Sequence, residues 1–306
     1  MDIIKPAFAK SNVAICFSAN DKYAPLLATT IASIVENSSP ENNYDIVVLY
    51  GGMSEENKQK LESVVMGRKN FSVRFADALP YVYGYNFYTE SELSNTKYTH
   101  EIYFKLLVPA ILNGYEKAVF LDADVVVRTD IAKLYETDIS NCLVAAVRDY
   151  EGIANCYNNN YERTKYRINE IGIKNFQDYF ISGVLVMNLE EFSKTFALKT
   201  LLDIAVSKNW KQYDQDLLNY LCQGKVKILD AGWDFVEDIY GIYGSLPAEL
   251  FAEYSASESD PKIIHFSAKR KPWINTESKY NEEFWKYAKL TPYYDYLQRL
   301  LNHEEF

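Results

Sequence analysis

The first apolar run of this chain, "NVAICFSA" at 12–19, is followed by neither G-x-G-x-x-G nor G-x-x-x-x-G-K-[ST]. That excludes a usual dinucleotide fingerprint and a P-loop, so any phosphate must be held another way. Cysteine is sparse: Cys16, Cys142, Cys156 and Cys222 are scattered, with no C-x-x-C pair. In a chain this long the expectation is reduced, mostly buried thiols and a cytoplasmic setting. A basic surplus is missing too, since the formal net charge is -10 and the pI is near 5.0. A surface that tracks nucleic-acid phosphates is therefore disfavoured. No uncharged run reaches about 18 residues, and the opening "MDIIKPAFAKSN" has neither the basic start nor the apolar stretch of a secretory leader. Internal repeats and low-complexity segments are absent as well.

What is present is an alternation. The 306 residues, 48% hydrophobic, suit one large α/β domain or one domain with a smaller lobe. "NVAICFSA", "YDIVVLYGG", "FSVRFADA" and "KAVFLDAD" read as strands. Helical spacing in "YAPLLATTIASIVENS" and "SEENKQKLESVVMG" separates the first three, with Ser54 as the cap of the second helix. This is the pattern of a sheet covered by helices. Beyond residue 143 it loosens: "LVAAVRD", "ISGVLVMNLEEF", "VKILD" and "PKIIHFS" are strand-like, "SKTFALKTLLDIAVSKN" is helical, and 150–170 reads as a mobile loop or solvated connection near the site.

Open α/β sheets bind ligands beyond the carboxyl ends of their strands, where Asn20, Asp21, Asp122 and Asp124 all fall. The pair in "FLDADVVV" demands a reason, because a carboxylate is costly at the end of a buried run unless it is paired or bound to a metal. Two carboxylates one residue apart can face one side and offer hard oxygens to Mg or Mn, leaving positions that phosphate oxygens fill. The competing reading is a pair of turn or cap aspartates. "KIIHFSAKRKPW" adds His265 at the end of a strand, an imidazole suited to Mn-like ions, and Lys271 within reach of a diphosphate. A structural histidine is the bland alternative, and it is retained for His100 and His303.

In order, "FLDADVVV", "YFISGVLVMNLEEF", "YDQDLLNYL" and "HFSAKRKPW" resemble glycosyltransferase family 8, the retaining galactosyl- and glucosyltransferases of lipopolysaccharide synthesis and glycogenin. The resemblance runs from about residue 12 to 275. It implies an α/β fold of the GT-A type, Rossmann-like and nucleotide-sugar-binding, with a mixed central sheet. A UDP-hexose is the implied donor and Mn2+ (or Mg2+) the implied ion, held by Asp122, Asp124 and His265. The family's last motif, H-x-x-G-x-x-K-P-W, assigns Lys271 to the diphosphate and has glycine where this chain has Ala268. "FSANDKY" resembles the uracil loop, with Ser18, Ala19 and Asn20 near the base and Tyr23 beneath it; the family commonly has aspartate in place of Asn20. Lys105 in "EIYFKLLVP" and Ser182 match positions that reach the donor sugar, together with Asp122. Ile181 stands where the family usually has asparagine. Asp214 takes the position that holds sugar hydroxyls, and Gln215 the one beside the reacting carbon. With no strongly nucleophilic carboxylate evident, same-face attack is the expected retaining mechanism.

The sequence also admits two rival readings. "LDADVV" also fits the D-x-D-x-[TV] nucleophile motif of haloacid-dehalogenase-like phosphatases, with "DFVED" as a distant acidic pair. Asn20, Ile181 and Ala268 also allow a non-catalytic, nucleotide-binding relative of family 8. The expected division is a transferase domain at 1–275 and a helical, aromatic C-terminal tail at 276–306. The tail is expected to pack on the body, with peripheral contact at the inner face of a membrane as the other reading. The acceptor is expected to bear a carbohydrate, stacked on some of the 26 tyrosines.

Overall fold

The computed structural model describes residues 4–88, 99–158, 160–238, 240–267 and 269–304. Nine strands are found there: β1 (Asn12–Ala19), β2 (Asn43–Tyr50), β3 (Phe71–Asp77), β4 (Lys117–Leu121), β5 (Val125–Val127), β6 (Val144–Arg148), β7 (Phe180–Asn188), β8 (Val226–Ile228) and β9 (Ile263–His265). Seven form one sheet in the order β3-β2-β1-β4-β7-β6-β8. The pairs β1–β2, β2–β3, β1–β4 and β6–β8 are parallel, whereas β7 runs antiparallel to both β4 and β6.

Side chains alternate across a strand, so a sheet covered on both faces needs apolar residues in both phases. Val13, Ile15 and Phe17 of β1 enter one core, and Ala14 and Cys16 enter the other. In β4, Val119 and Leu121 join the first core, while Ala118 and Phe120 join the second. The helix Ala24–Asn37 covers the first face and carries Pro25 in its first turn, which the fixed φ of proline suits. Ser54 caps the helix Glu55–Ser63 by accepting from the Asn57 amide, as the sequence predicts.

One expectation changes. The stretch 150–170 forms two helices, Tyr150–Tyr157 and Tyr161–Asn169. Asp149 and Asn160 cap them by accepting from the Gly152 and Arg163 amides; polar outer faces made the segment look like a loop. β9 does not enter the central sheet but pairs with β5, opposite Val125 to Val127. β7, by reversing, sets its first residues beside the carboxyl ends of β4 and β6, where the strand-end rule puts ligands.

The C-terminal helices Asn281–Ala288 and Tyr294–Leu301 lie against the body. Asn37 donates to the Tyr287 hydroxyl at 2.9 Å, and Phe284 packs against Phe266 and Trp273. All four cysteines are free. Among the described residues no helix is long and apolar enough to cross a membrane.

Candidate active site

β4 ends at Leu121, and the turn that follows carries Asp122 and Asp124 before β5 begins. The Asp122 amide donates to the Gly183 carbonyl of β7 at 2.8 Å, and the Phe266 amide donates to the Asp124 carbonyl at 3.0 Å. The two ladders thus pin the turn from both sides. His265, opposite Val125, reaches the same point: its Nε2 lies 3.5 Å from Asp124 Oδ1 and 3.9 Å from Asp122 Oδ2. One ligand atom from each of the three lies within 4.8 Å of the others.

His265 Nδ1 is 2.8 Å from Asp234 Oδ1, which turns Nε2 toward the aspartates. A carboxylate behind an imidazole is a common way to fix the orientation of a metal-binding histidine. Gly183 makes room for the ring, since a Cβ there would sit 2.2 Å from His265 Cε1 and 2.5 Å from Nδ1. Two hard carboxylates and one oriented imidazole suit a Mn- or Mg-like cation, so the donor set fits the expected ion. Burial opposes a charged imidazole, but Asp234 and Asp124 outweigh it and raise the His265 pKa to about 10. Burial also pushes Asp122 up to about 6, against the pull of Lys105 and His265. In Asp124 burial is outweighed by Lys271 and His265, which hold the carboxyl well below the usual range.

Lys271 donates to Asp124 Oδ2 at 2.8 Å and to the Phe266 carbonyl at 2.7 Å. Lys105 is buried: its ammonium lies 2.6 Å from Asp214 Oδ2, 3.4 Å from Asp122 Oδ1 and 3.0 Å from the Ser182 carbonyl. Ser182 donates to Asp214 Oδ2 at 2.7 Å. Asp214 and Gln215 open the helix Tyr213–Leu221, whose first residue has φ +48, a left-handed backbone that is rare for tyrosine. Gln215 Nε2 donates to Asp149 Oδ2 at 3.2 Å, and its Oε1 accepts from the Ser182 amide at 3.4 Å. Eight of the expected residues thus form one connected cluster: Lys105, Asp122, Asp124, Ser182, Asp214, Gln215, His265 and Lys271.

Ser18, Ala19, Asn20 and Tyr23 lie at the end of β1 and the start of the next helix. Asn20 turns its Oδ1 onto the Lys22 and Tyr23 amides, so that acceptor is already engaged. Asp21 stays outside the cluster, accepting from Ser54 and Asn57. Ala268 falls outside the described residues. Ile181 lines a cleft beside the cluster with Asp149, Glu151, Asp234, Tyr243 and Tyr254.

The model for glycosyl transferase family 8 matches residues 14–277. The chain belongs to that family. Among its relatives, general stress protein A of Bacillus subtilis is 24% identical over 282 residues, covering 89% of this chain and 92% of the relative. The lipopolysaccharide 1,2-glucosyltransferase of Escherichia coli is 26% identical over 180 residues, 58% of this chain and 50% of the relative. The apo structure of the bifunctional glycosyltransferase WbbM superposes with a TM-score of 0.86 at 25% identity, over 97% of this chain and 53% of WbbM. The galactosyltransferase LgtC, in complex with donor and acceptor sugar analogues, gives 0.72 at 21% identity over 92% of this chain and 96% of LgtC. This chain therefore spans about half of the E. coli enzyme and of WbbM, and nearly all of LgtC. The fold is GT-A, α/β with a mixed central sheet. Family membership takes away the support for a phosphatase.

Sequence reasoning missed two residues of the cluster. Asp149 follows β6 at its carboxyl end, and the strand-end rule that singled out Asp122 applies to it equally. Asp234 stands in "DFVED", which drew notice only as a phosphatase feature; its bond to His265 spans 31 residues and leaves no mark in local pattern.

Proposed function

We propose that this chain is a metal-dependent, retaining hexosyltransferase that moves galactose or glucose from a UDP-sugar to a glycan, lipid-glycan or protein acceptor. The observation that carries this is the convergence of Asp122, Asp124 and His265, from two separate ladders, with Lys271 on the same carboxylate. Asp122, Asp124 and His265 would hold the cation, Mn2+ or Mg2+, which would supply charge neutralisation at the diphosphate. Lys271 would move its ammonium from Asp124 to the departing phosphate, an electrostatic gain realised as charge develops there. Ser18, Ala19, Asn20 and Tyr23 would border the uracil, with Ala268 and Lys271 on the diphosphate side. Lys105, Asp122, Ser182 and Asp214 would hold sugar hydroxyls, and Gln215 would face the reacting carbon.

Same-face attack is favoured because the nearby carboxylates are engaged. Asp216 accepts from the Tyr166 and Tyr179 hydroxyls and the Gln212 amide, and Asp214 is held by Lys105 and Ser182. A trapped glycosyl-enzyme on Asp214 or Asp216 would overturn that step. The same proposal takes 1–275 as the transferase domain and 276–306 as its helical tail, which a family match ending at 277 supports.

The test is thermal stability with Mn2+ and a panel of UDP, UDP-glucose, UDP-galactose, UDP-N-acetylhexosamines, GDP-mannose and p-nitrophenyl phosphate. The expected result is stabilisation by a UDP-hexose that requires Mn2+ and is lost in Asp124→Asn. No response to any nucleotide would sink the donor assignment and favour a relative whose site Asn20 and Ile181 have altered.

A further inference from the structure

The helix Tyr161–Asn169 contributes one charged side chain to the interior, and its surroundings are unusual. Arg167 is fully buried. Its Nη2 donates to Asp149 Oδ2 at 2.7 Å and to Gln212 Oε1 at 3.2 Å, and its guanidinium lies 3.6 Å from the centre of the Tyr179 ring. Its Nε and Nη1 have no hydrogen-bond partner among the described residues. A buried ion pair with donors left over is a poor source of stability, since apolar side chains of similar volume often serve a core as well or better. The pair therefore calls for another reason.

That reason lies on the other oxygen contacts of Asp149. Its Oδ1 accepts from the Gly152 amide at 2.8 Å, and its Oδ2 accepts from both Arg167 and Gln215. Gly152 leaves space for the arrangement, because a Cβ there would come within 2.2 Å of Arg167 Nη2. A carboxylate only accepts, so the Gln215 atom that faces it must be Nε2. The amide is planar, and its Oε1 is thereby turned to the opposite side, toward the Ser182 amide.

We propose that Arg167 is a positioning residue for sugar transfer: by anchoring Asp149 it fixes the flip state of the Gln215 amide and so presents Oε1 to the reacting carbon. This rests on the reading of Gln215 as the residue beside that carbon. Arg167 does not touch substrate. Its effect belongs to the chemical step, where positive charge grows on the sugar and an amide oxygen helps while an amide N–H hinders.

The experiment measures UDP release from UDP-glucose and UDP-galactose with Mn2+, for the full chain and for Arg167→Met and Arg167→Lys, beside melting curves and Mn2+–UDP binding. Arg167→Met should lower kcat by about 10- to 100-fold with the donor KM and UDP affinity within about twofold of the parent. Arg167→Lys, which keeps a cationic donor, should recover most of the loss. Should Arg167→Met fail to fold, Arg167→Gln takes its place, with the same split expected. Unchanged kcat in a folded variant would overturn the proposal. So would a loss shared equally by UDP binding and not rescued by lysine, the mark of a purely structural role. If the parent chain releases no UDP from either donor, the transferase reading falls first and the positioning role with it.

Discussion

The two halves of the central sheet solve different problems. On the β3-β2-β1 side the strands are parallel, pair over seven or eight residues in unbroken register, and are mostly filled by apolar side chains in both phases, with Asp45 of β2, paired to Arg74 of β3, as a buried charge. On the β7-β6-β8 side the strands are mixed in direction, β6 shifts register between Ala146 and Arg148, and charge is taken inside: Arg167, Asp149, Asp216 and Asp234 are all buried. The first half shows how little chemistry a scaffold needs. The second shows that the site is held by long-range polar pairs, each of which costs burial and is compensated by a partner far along the chain.

Glycine substitutions sharpen that contrast most. Gly183→Ala in β7 would drive a methyl group into the His265 ring, so the imidazole must leave the aspartates. We expect about a 100-fold loss of Mn2+ affinity, read from Mn2+ titrations of donor-dependent stabilisation, with the melting transition still cooperative. Gly67→Ala, in a turn before β3 with φ +84 and open space at its Cβ, should instead cost about 1 kcal/mol of stability and leave Mn2+ binding untouched. Equal effects on Mn2+ from both variants would erase the distinction between the halves. A smaller effect is expected from Asp234→Asn, which keeps the shape but weakens the hold on His265 Nδ1. Mn2+ affinity should fall by about 10- to 100-fold in the same titration, and an unchanged affinity would show that packing on Gly183 alone orients the ring.

Legibility in the sequence divides along the same line. β1, β2 and β4 were visible because a strand buried on both faces must be a short, nearly continuous apolar run, and Ser54 announced its helix by local cap chemistry. Asp122, Asp124 and His265 stood out because polar groups ended such runs. The two helices at 150–169 did not, since their polar outer faces look like a solvated loop and the second of them buries only Arg167. Asp234 and Arg167 were unreadable for a further reason: their partners lie 31 and 18 residues away, and no periodicity encodes such a pairing. Lys105 was visible only through the family resemblance. Its burial depends on Asp122 and Asp214 arriving from elsewhere.

A pH-dependent effect is expected at Glu151, which lines the cleft beside Asp149. Burial raises its carboxyl to about 7; Asp149 and Asp238 add to this, and Arg163 and Arg167 oppose it. The sign follows from linkage: a carboxyl that the fold makes harder to ionise costs stability once the pH passes its unfolded value, near 4.5. The cost grows up to about pH 7 and is constant above it, with an upper limit on the order of 3 kcal/mol from the size of the shift. Glu151→Gln should therefore melt a few degrees above the parent at pH 8, with the difference shrinking toward zero near pH 4.5. Melting curves across that range decide the matter, and a pH-independent difference would mean that packing, not ionisation, sets the effect. A neutral Glu151 at pH 6 would also leave a hydroxyl donor in the cleft where a carboxylate would only accept, so the same series separates the charge of this wall from its shape.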